Sequence, residues 1–140
     1  MERQGTDGFF VSDDPNLLDV ERVHAWLSTE SYWAAGRPLE VVRRSIEGSI
    51  TFGCYSSENS QVGVCRWVTD GATFGWLCDV FVDSGNRGRG LGVLLVESAL
   101  SHPAVKGLRL LLLGTRDAQG LYSRFGFVPA TGNWMEKRSR

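Results

Sequence analysis

The chain has 140 residues and a formal net charge of −1, with 42% apolar and 22% charged residues. That length fits one domain over residues 1–140 and lets folding bury roughly two-thirds of the unfolded surface, enough for its own core. Near-neutrality gives the molecule no electrostatic case for nucleic acid or an anionic membrane, no apolar run reaches the roughly 18 residues of a transmembrane helix, and Met1-Glu2-Arg3-Gln4 starts no signal peptide, so the cytoplasm is the expected compartment.

Phe9, Phe10 and Val11 predict a short strand ended by Asp13-Asp14-Pro15. Asp19 is placed to cap a helix whose apolar positions Val20, Val23 and Leu27 recur at helical spacing. The loop 31–37 follows, carrying Tyr32, Trp33 and Arg37. Pro38 suits the first turn of a second helix that turns Leu39, Val42 and Ile46 inward, pairs Glu40 with Arg44 and closes at Gly48. Residues 50–55 and 61–69 read as strands joined by a polar loop, and Asp70-Gly71 predicts a two-residue hairpin into a strand over 73–82. A helix over 89–101 has Leu91, Leu94, Leu95 and Ala99 on one face, with Val93, Val96 and Leu100 widening it. The leucine-rich run 108–113 suits a strand covered on both faces and parallel to the one before the helix, in one right-handed crossover. Asp117 can start a helix through Phe125, after which Phe127-Val128 and residues 134–137 are expected to close the sheet as a hairpin.

Cys54, Cys65 and Cys78 show no C-x-x-C spacing and fall inside predicted strands, so buried free thiols are expected. His24 and His102 sit in unrelated contexts, and no metal site is expected.

Residues 80–96 read V-F-V-D-S-G-N-R-G-R-G-L-G-V-L-L-V. A strand ends near Asp83, a turn follows, and a helix opens within Arg87-Gly88-Arg89-Gly90-Leu91-Gly92. Glycines let a backbone approach a bulky anion, the first helical N–H groups are unpaired, and the helix dipole and two arginines add positive charge, so this stretch is a phosphate cradle. G-x-G-x-x-G fails because Val93 stands where the third glycine belongs, and no Gly-Lys-Ser/Thr follows for a Walker A loop. R-x-x-G-x-G remains, and it resembles the pyrophosphate-binding motif of the Gcn5-related N-acetyltransferases. A second element of that family, A-x-x-L-Y-x-x-x-G-F, is matched by Ala118, Leu121, Tyr122, Gly126 and Phe127. The resemblance spans about residues 50–128 and is loose before them.

It implies an α/β fold: a mixed, mostly antiparallel sheet of six or seven strands with about four helices and a splay between central strands. It implies acetyl-coenzyme A as acetyl donor, its pyrophosphate held by Arg87, Gly88, Arg89, Gly90, Leu91 and Gly92 and its pantetheine arm by the backbone of Val80, Phe81 and Val82. A bulge in that strand would aim a backbone N–H at the thioester oxygen. Ala118 belongs to the second motif. Thr115 stands where many relatives have a cofactor-contacting asparagine, and Asp83 where a proline is frequent. Neither departure removes the phosphate site.

Tyr122 matches the position of the family's frequent general acid; a phenol near pKa 10 can protonate a thiolate whose pKa is near 8.5. Its bland alternative is an aromatic holding a helix to the sheet. Asp79, a carboxylate in an apolar strand, reads either as a general base or as the partner of a cation or donor at the sheet. Tyr32, Trp33 and Arg37 match a region that often lines the acceptor site, and such a set suits a flat or carboxylate-bearing small molecule. A hydrophobic anchor is the other reading of that loop, while Trp67, Phe74 and Trp76 suit core or a dimer surface. The expected function is direct N-acetyl transfer to the amine of a small molecule or peptide, with a non-catalytic acyl-coenzyme A sensor as the alternative. No cysteine has the His and Asp partners a thiol nucleophile needs. A homodimer is compatible with this reading; nucleic acid and membrane are not expected partners.

Overall fold

The computed structural model describes residues 1–130 and 132–139. Six strands form one sheet in sequential order: β1 (Glu2–Gln4), β2 (Phe10–Ser12), β3 (Ile50–Tyr55), β4 (Gln61–Thr69), β5 (Phe74–Val82) and β6 (Leu110–Leu113). Neighbours run antiparallel up to β5, and β6 alone lies parallel to its neighbour. The α-helices among the described residues are α1 (Val20–Glu30), α2 (Leu39–Glu47), α3 (Leu91–Leu100) and α4 (Gln119–Ser123). This is the expected mixed α/β class, at the lower strand count.

Parallel strands need a crossover, and α3 supplies it between β5 and β6. Its Leu91, Leu94, Leu95, Val96 and Ala99 are buried with Phe52, Cys65, Trp67 and Leu77. Each large aliphatic side chain so buried stabilises by about 1.5–3 kcal/mol, which anchors the turn that starts the helix. A second cluster joins Val23, Trp26 and Leu27 of α1 and Val42 of α2 to Val64 and Phe81. β4 and β5 therefore contribute to both cores, and the cleft described below forms where β5 continues past β6.

Several expectations change. β1 was invisible because its three residues, Glu-Arg-Gln, have no apolar pattern and are placed by pairing with β2. Asp19 caps α1 as expected, its side chain accepting from the Arg22 N–H. Glu40 pairs with Arg43 at 3.9 Å, one residue short of the expected partner. The hairpin after β4 is longer than two residues: Asp70 accepts from the N–H groups of Ala72 and Thr73, and Thr69 pairs with Gly75. All four residues of β6 are partly exposed, because β6 is the sheet edge and Phe127-Val128 and residues 134–137 form no strand. α4 is shorter than expected, and Thr115, not Asp117, holds its start through a 3.0 Å bond from the Ala118 N–H to Oγ1.

Candidate active site

The last pair between β5 and β6 is Leu77 with Leu113. β5 runs on through Val82 while the chain leaves β6 at Gly114, and a cleft of about 510 Å³ lies in the gap. The gap opens between the two strands where a splay was expected, but by the ending of β6 at Leu113, and it lies at the sheet edge because β6 has no outer neighbour among the described residues.

A bulge shapes the β5 wall. Arg66 pairs with Cys78 and Val64 with Phe81, so two residues, Asp79 and Val80, stand opposite Cys65 alone. Asp79 takes the extra turn with φ +53, a left-handed conformation that the short side chains of Asp and Asn tolerate better than most. Its carboxylate is buried, with the residue 8% exposed, and three donors meet it: Trp33 Nε1 at 2.8 Å on Oδ1, and Arg37 Nη1 at 2.9 Å and Arg66 Nε at 2.8 Å on Oδ2. Burial alone would raise its pKa; the charge and hydrogen bond of Arg66, the charge of Arg37 and the Trp33 N–H outweigh that and hold it below the ordinary carboxylate value. Of the two readings of Asp79, the geometry shows the ion pair directly.

The loop between α1 and α2 forms the facing wall. Ser31 holds it to α1, its Oγ donating to the Leu27 carbonyl and accepting from the Ala34 N–H. Trp33 is pinned by Asp79 through its indole nitrogen but remains 41% exposed. Tyr32 stacks edge-on against Trp33, and its Oη accepts from the Arg116 N–H at 2.8 Å. The Arg116 guanidinium lies 3.8 Å from the centre of the Tyr32 ring, so this loop is tied to the segment leading into α4.

At the other end of the exposed β5 segment, a 3-10 turn at Ser84–Asn86 leads into the glycine-rich motif. Arg87 Nε donates to the Val82 carbonyl at 3.0 Å, its guanidinium lies 5.2 Å from the Phe81 ring centre, and its terminal nitrogens meet no partner among the described residues. Gly88 and Gly90 have φ +81 and +76, conformations costly for a residue with a Cβ, and nothing lies within 4 Å of where either Cβ would be. Gly90 caps α3 without any side-chain bond, so the first N–H groups of a ten-residue helix have no side-chain cap. Leu91 is the buried anchor, and Gly92 lies close to Leu121 of α4. Arg89 leans toward Phe9, 5.9 Å from its ring centre. These features fit an anionic pyrophosphate, and the β6-facing edge of β5 past Leu77, which has no strand partner on that side among the described residues, fits an amide-bearing arm.

Tyr122 of α4 completes the cleft with Thr115 and Ala118. It is 8% exposed, and burial, with smaller contributions from Cys65, Tyr32 and Asp117, pushes its phenol up to about 12. The structure thus brings Tyr32, Trp33, Arg37, Asp79, Val80, Phe81, Val82, Arg87, Thr115, Ala118 and Tyr122 onto one cleft, while Gly88 to Gly92 form the turn just beyond it. Arg66 and Trp76 also line it and were not anticipated. A lone Arg66 in one apolar strand and a lone Asp79 in the next were the available signal. Trp67, by contrast, is wholly core, and Cys54 and Cys65 are buried free thiols, the former pushed up to about 12 by burial. Among the described residues no cluster of three or more His, Cys, Asp or Glu could hold a metal, and no helix is long and apolar enough to cross a membrane.

Comparison with known proteins shows the family. A family model for the acetyltransferase (GNAT) domain matches residues 47–129. A Gibberella zeae protein carrying an acetyltransferase name is 33% identical, over 83% of this chain and 76% of its own length. A crystal structure from Xanthomonas campestris pv. campestris, described as belonging to the GNAT family, is 40% identical with a TM-score of 0.91 over 96% of both chains. Glucosamine-6-phosphate N-acetyltransferase from Arabidopsis thaliana shares the fold, with a TM-score of 0.64 at 17% identity over 94% of this chain and 99% of that one. With its glycine-rich turn, bulged strand and splayed edge in the matched region, the chain belongs to the Gcn5-related N-acetyltransferase family.

Proposed function

We propose that the cleft transfers an acetyl group from acetyl-coenzyme A directly to the amine of a small molecule. The observation that carries this reading is the continuity of one cleft: Arg87 and the glycine turn follow one end of the exposed β5 segment, the Trp33–Arg37 wall faces its bulge, and Tyr122 lines the same space. Bound there, acetyl-coenzyme A supplies an acetyl group activated as a thioester. The N–H groups at the start of α3, with Arg87, bind the pyrophosphate. Backbone groups of Val80, Phe81 and Val82 orient the arm, and Thr115 and Ala118 flank it.

The extra residue of the bulge at Asp79–Val80 interrupts the β4–β5 ladder, and in this reading a backbone N–H freed there stabilises charge on the thioester oxygen. Tyr122 Oη keeps its proton at any working pH and can hand it to a leaving group. With three donors on its oxygens, Asp79 is a weak base, and its contribution is to hold Arg66, Arg37 and Trp33 in place. The acceptor reacts as its free-base fraction, and water takes the proton that the amine loses after attack. Thiol release from acetyl-coenzyme A, measured across amines, amino acids and peptides, tests the reading. Amine-dependent release supports the enzyme; tight acetyl-coenzyme A binding with no release from any amine favours a sensor, and no binding refutes both.

A further inference from the structure

Two guanidinium groups converge on a single carboxylate at the acceptor side of the cleft. Arg66 is nearly satisfied: Nε bonds Asp79, Nη1 bonds Ser49 Oγ at 2.9 Å, and its side chain is 13% exposed. Arg37 is not. It gives one nitrogen, Nη1, to Asp79, while Nε and Nη2 meet no partner among the described residues and the side chain is 21% exposed. Asp79 neutralises one of the two cations, so the wall carries an unmatched positive charge with free donors in a partly desolvated place. Glu30 lines the same cleft but is exposed and makes no ion pair with either arginine. A planar guanidinium with two adjacent free N–H edges takes a carboxylate.

The same cleft exposes aromatic surface. Tyr32, Trp33 and Trp76 are 41%, 41% and 43% exposed, and all three line it. The indole N–H of Trp33 donates to Asp79, which orients its ring along the cleft wall. Exposed rings beside a guanidinium with two unpartnered nitrogens match a flat apolar body that carries an acid.

We propose that the acetyl acceptor is an amine bearing a carboxylate on a flat apolar body, with Arg37 taking the carboxylate and Trp33 and Trp76 the body. This rests on the acetyl-transfer reading, and the test separates the two. Thiol release is compared for tryptophan and tryptophan amide, which differ in the carboxylate; the amide has the larger free-base fraction at neutral pH, so amine reactivity alone would favour it. Calorimetry is run in parallel with indole-3-propionate and indole-3-propionamide, which have no amine and cannot be acetylated. The expectation is a kcat/KM for tryptophan roughly ten- to 150-fold above that of the amide, the range of one charge-assisted hydrogen bond. The propionate is expected to bind more tightly than its amide by a similar factor. Arg37→Gln erases both preferences and Arg37→Lys restores part of them, whereas a purely structural role for Arg37 would lower both members of each pair alike.

Equal kcat/KM for acid and amide, with release intact, would overturn the acceptor assignment and leave acetyl transfer standing. No release from any amine, with Arg37-dependent propionate binding, would sustain the anion site and refute acetyl transfer. Equal binding of propionate and propionamide to the wild type would overturn the proposal even if Arg37→Gln failed to fold.

Discussion

Asp79→Asn keeps the shape of the bulge residue and removes its charge. In the wild type the carboxylate accepts from Trp33, Arg37 and Arg66 at 2.8, 2.9 and 2.8 Å. An asparagine offers one acceptor oxygen and turns an NH₂ group toward donors, so at least one of the three bonds becomes a donor–donor contact. The two guanidinium groups also lose the charge between them. Deleting one partner of a buried pair costs about 3–5 kcal/mol; with Arg66 and Arg37 retaining 13% and 21% exposure, about 2–3 kcal/mol is expected here. At roughly 3–5 °C per kcal/mol for a domain of this size, the melting temperature falls by about 6–15 °C at pH 7. The folded-state pKa of Asp79 is depressed, so the stabilisation is present above the unfolded-state value near 3.9 and is lost as pH falls through the lower folded value. The gap between the two melting curves therefore narrows below about pH 4. Differential scanning fluorimetry across pH measures it. Equal melting temperatures at pH 7, or a gap that does not change with pH, would refute the ion-pair account.

Arg87→Ala is expected to weaken acetyl-coenzyme A binding roughly ten- to 150-fold by titration calorimetry, and unchanged affinity would remove Arg87 from the site. Tyr122→Phe keeps the ring and removes the proton donor; single-turnover acetyl transfer is expected to slow by about 10²-fold with donor affinity little changed. Because burial pushes the Tyr122 phenol up to about 12, a pH profile of the wild-type rate is expected to show no descending limb from this group between neutral pH and about pH 9. Trp33→Ala is expected to raise the acceptor KM roughly two- to tenfold while donor affinity stays constant, and equal effects on both substrates would make Trp33 a packing residue.

The parts legible in the sequence are those set by local chemistry. Asp19 announces α1 because an N-cap needs only its own oxygen and an N–H three residues on. The spacing of Leu91, Leu94, Leu95 and Ala99 places α3, since one helix face recurs every three or four residues whatever it meets. Gly88 and Gly90 mark the turn before α3 because glycine tolerates positive φ whatever surrounds it. The tertiary structure alone decided what depends on register between distant strands. Arg66 and Asp79 fell inside the strands expected over 61–69 and 73–82 with nothing to pair them; one extra residue in β5 sets which side chains meet across the ladder, and that bulge turned Asp79 toward Arg66, Arg37 and Trp33. Likewise the leucines of β6 looked doubly covered because composition reports apolarity, while edge position is set by whether another strand arrives, and among the described residues none does. Arg37 and Tyr32 were visible as a cation and an aromatic in a loop; which nitrogens of Arg37 stay free, and that Tyr32 reaches Arg116 across the cleft, follow only from how α1, β5 and α4 pack.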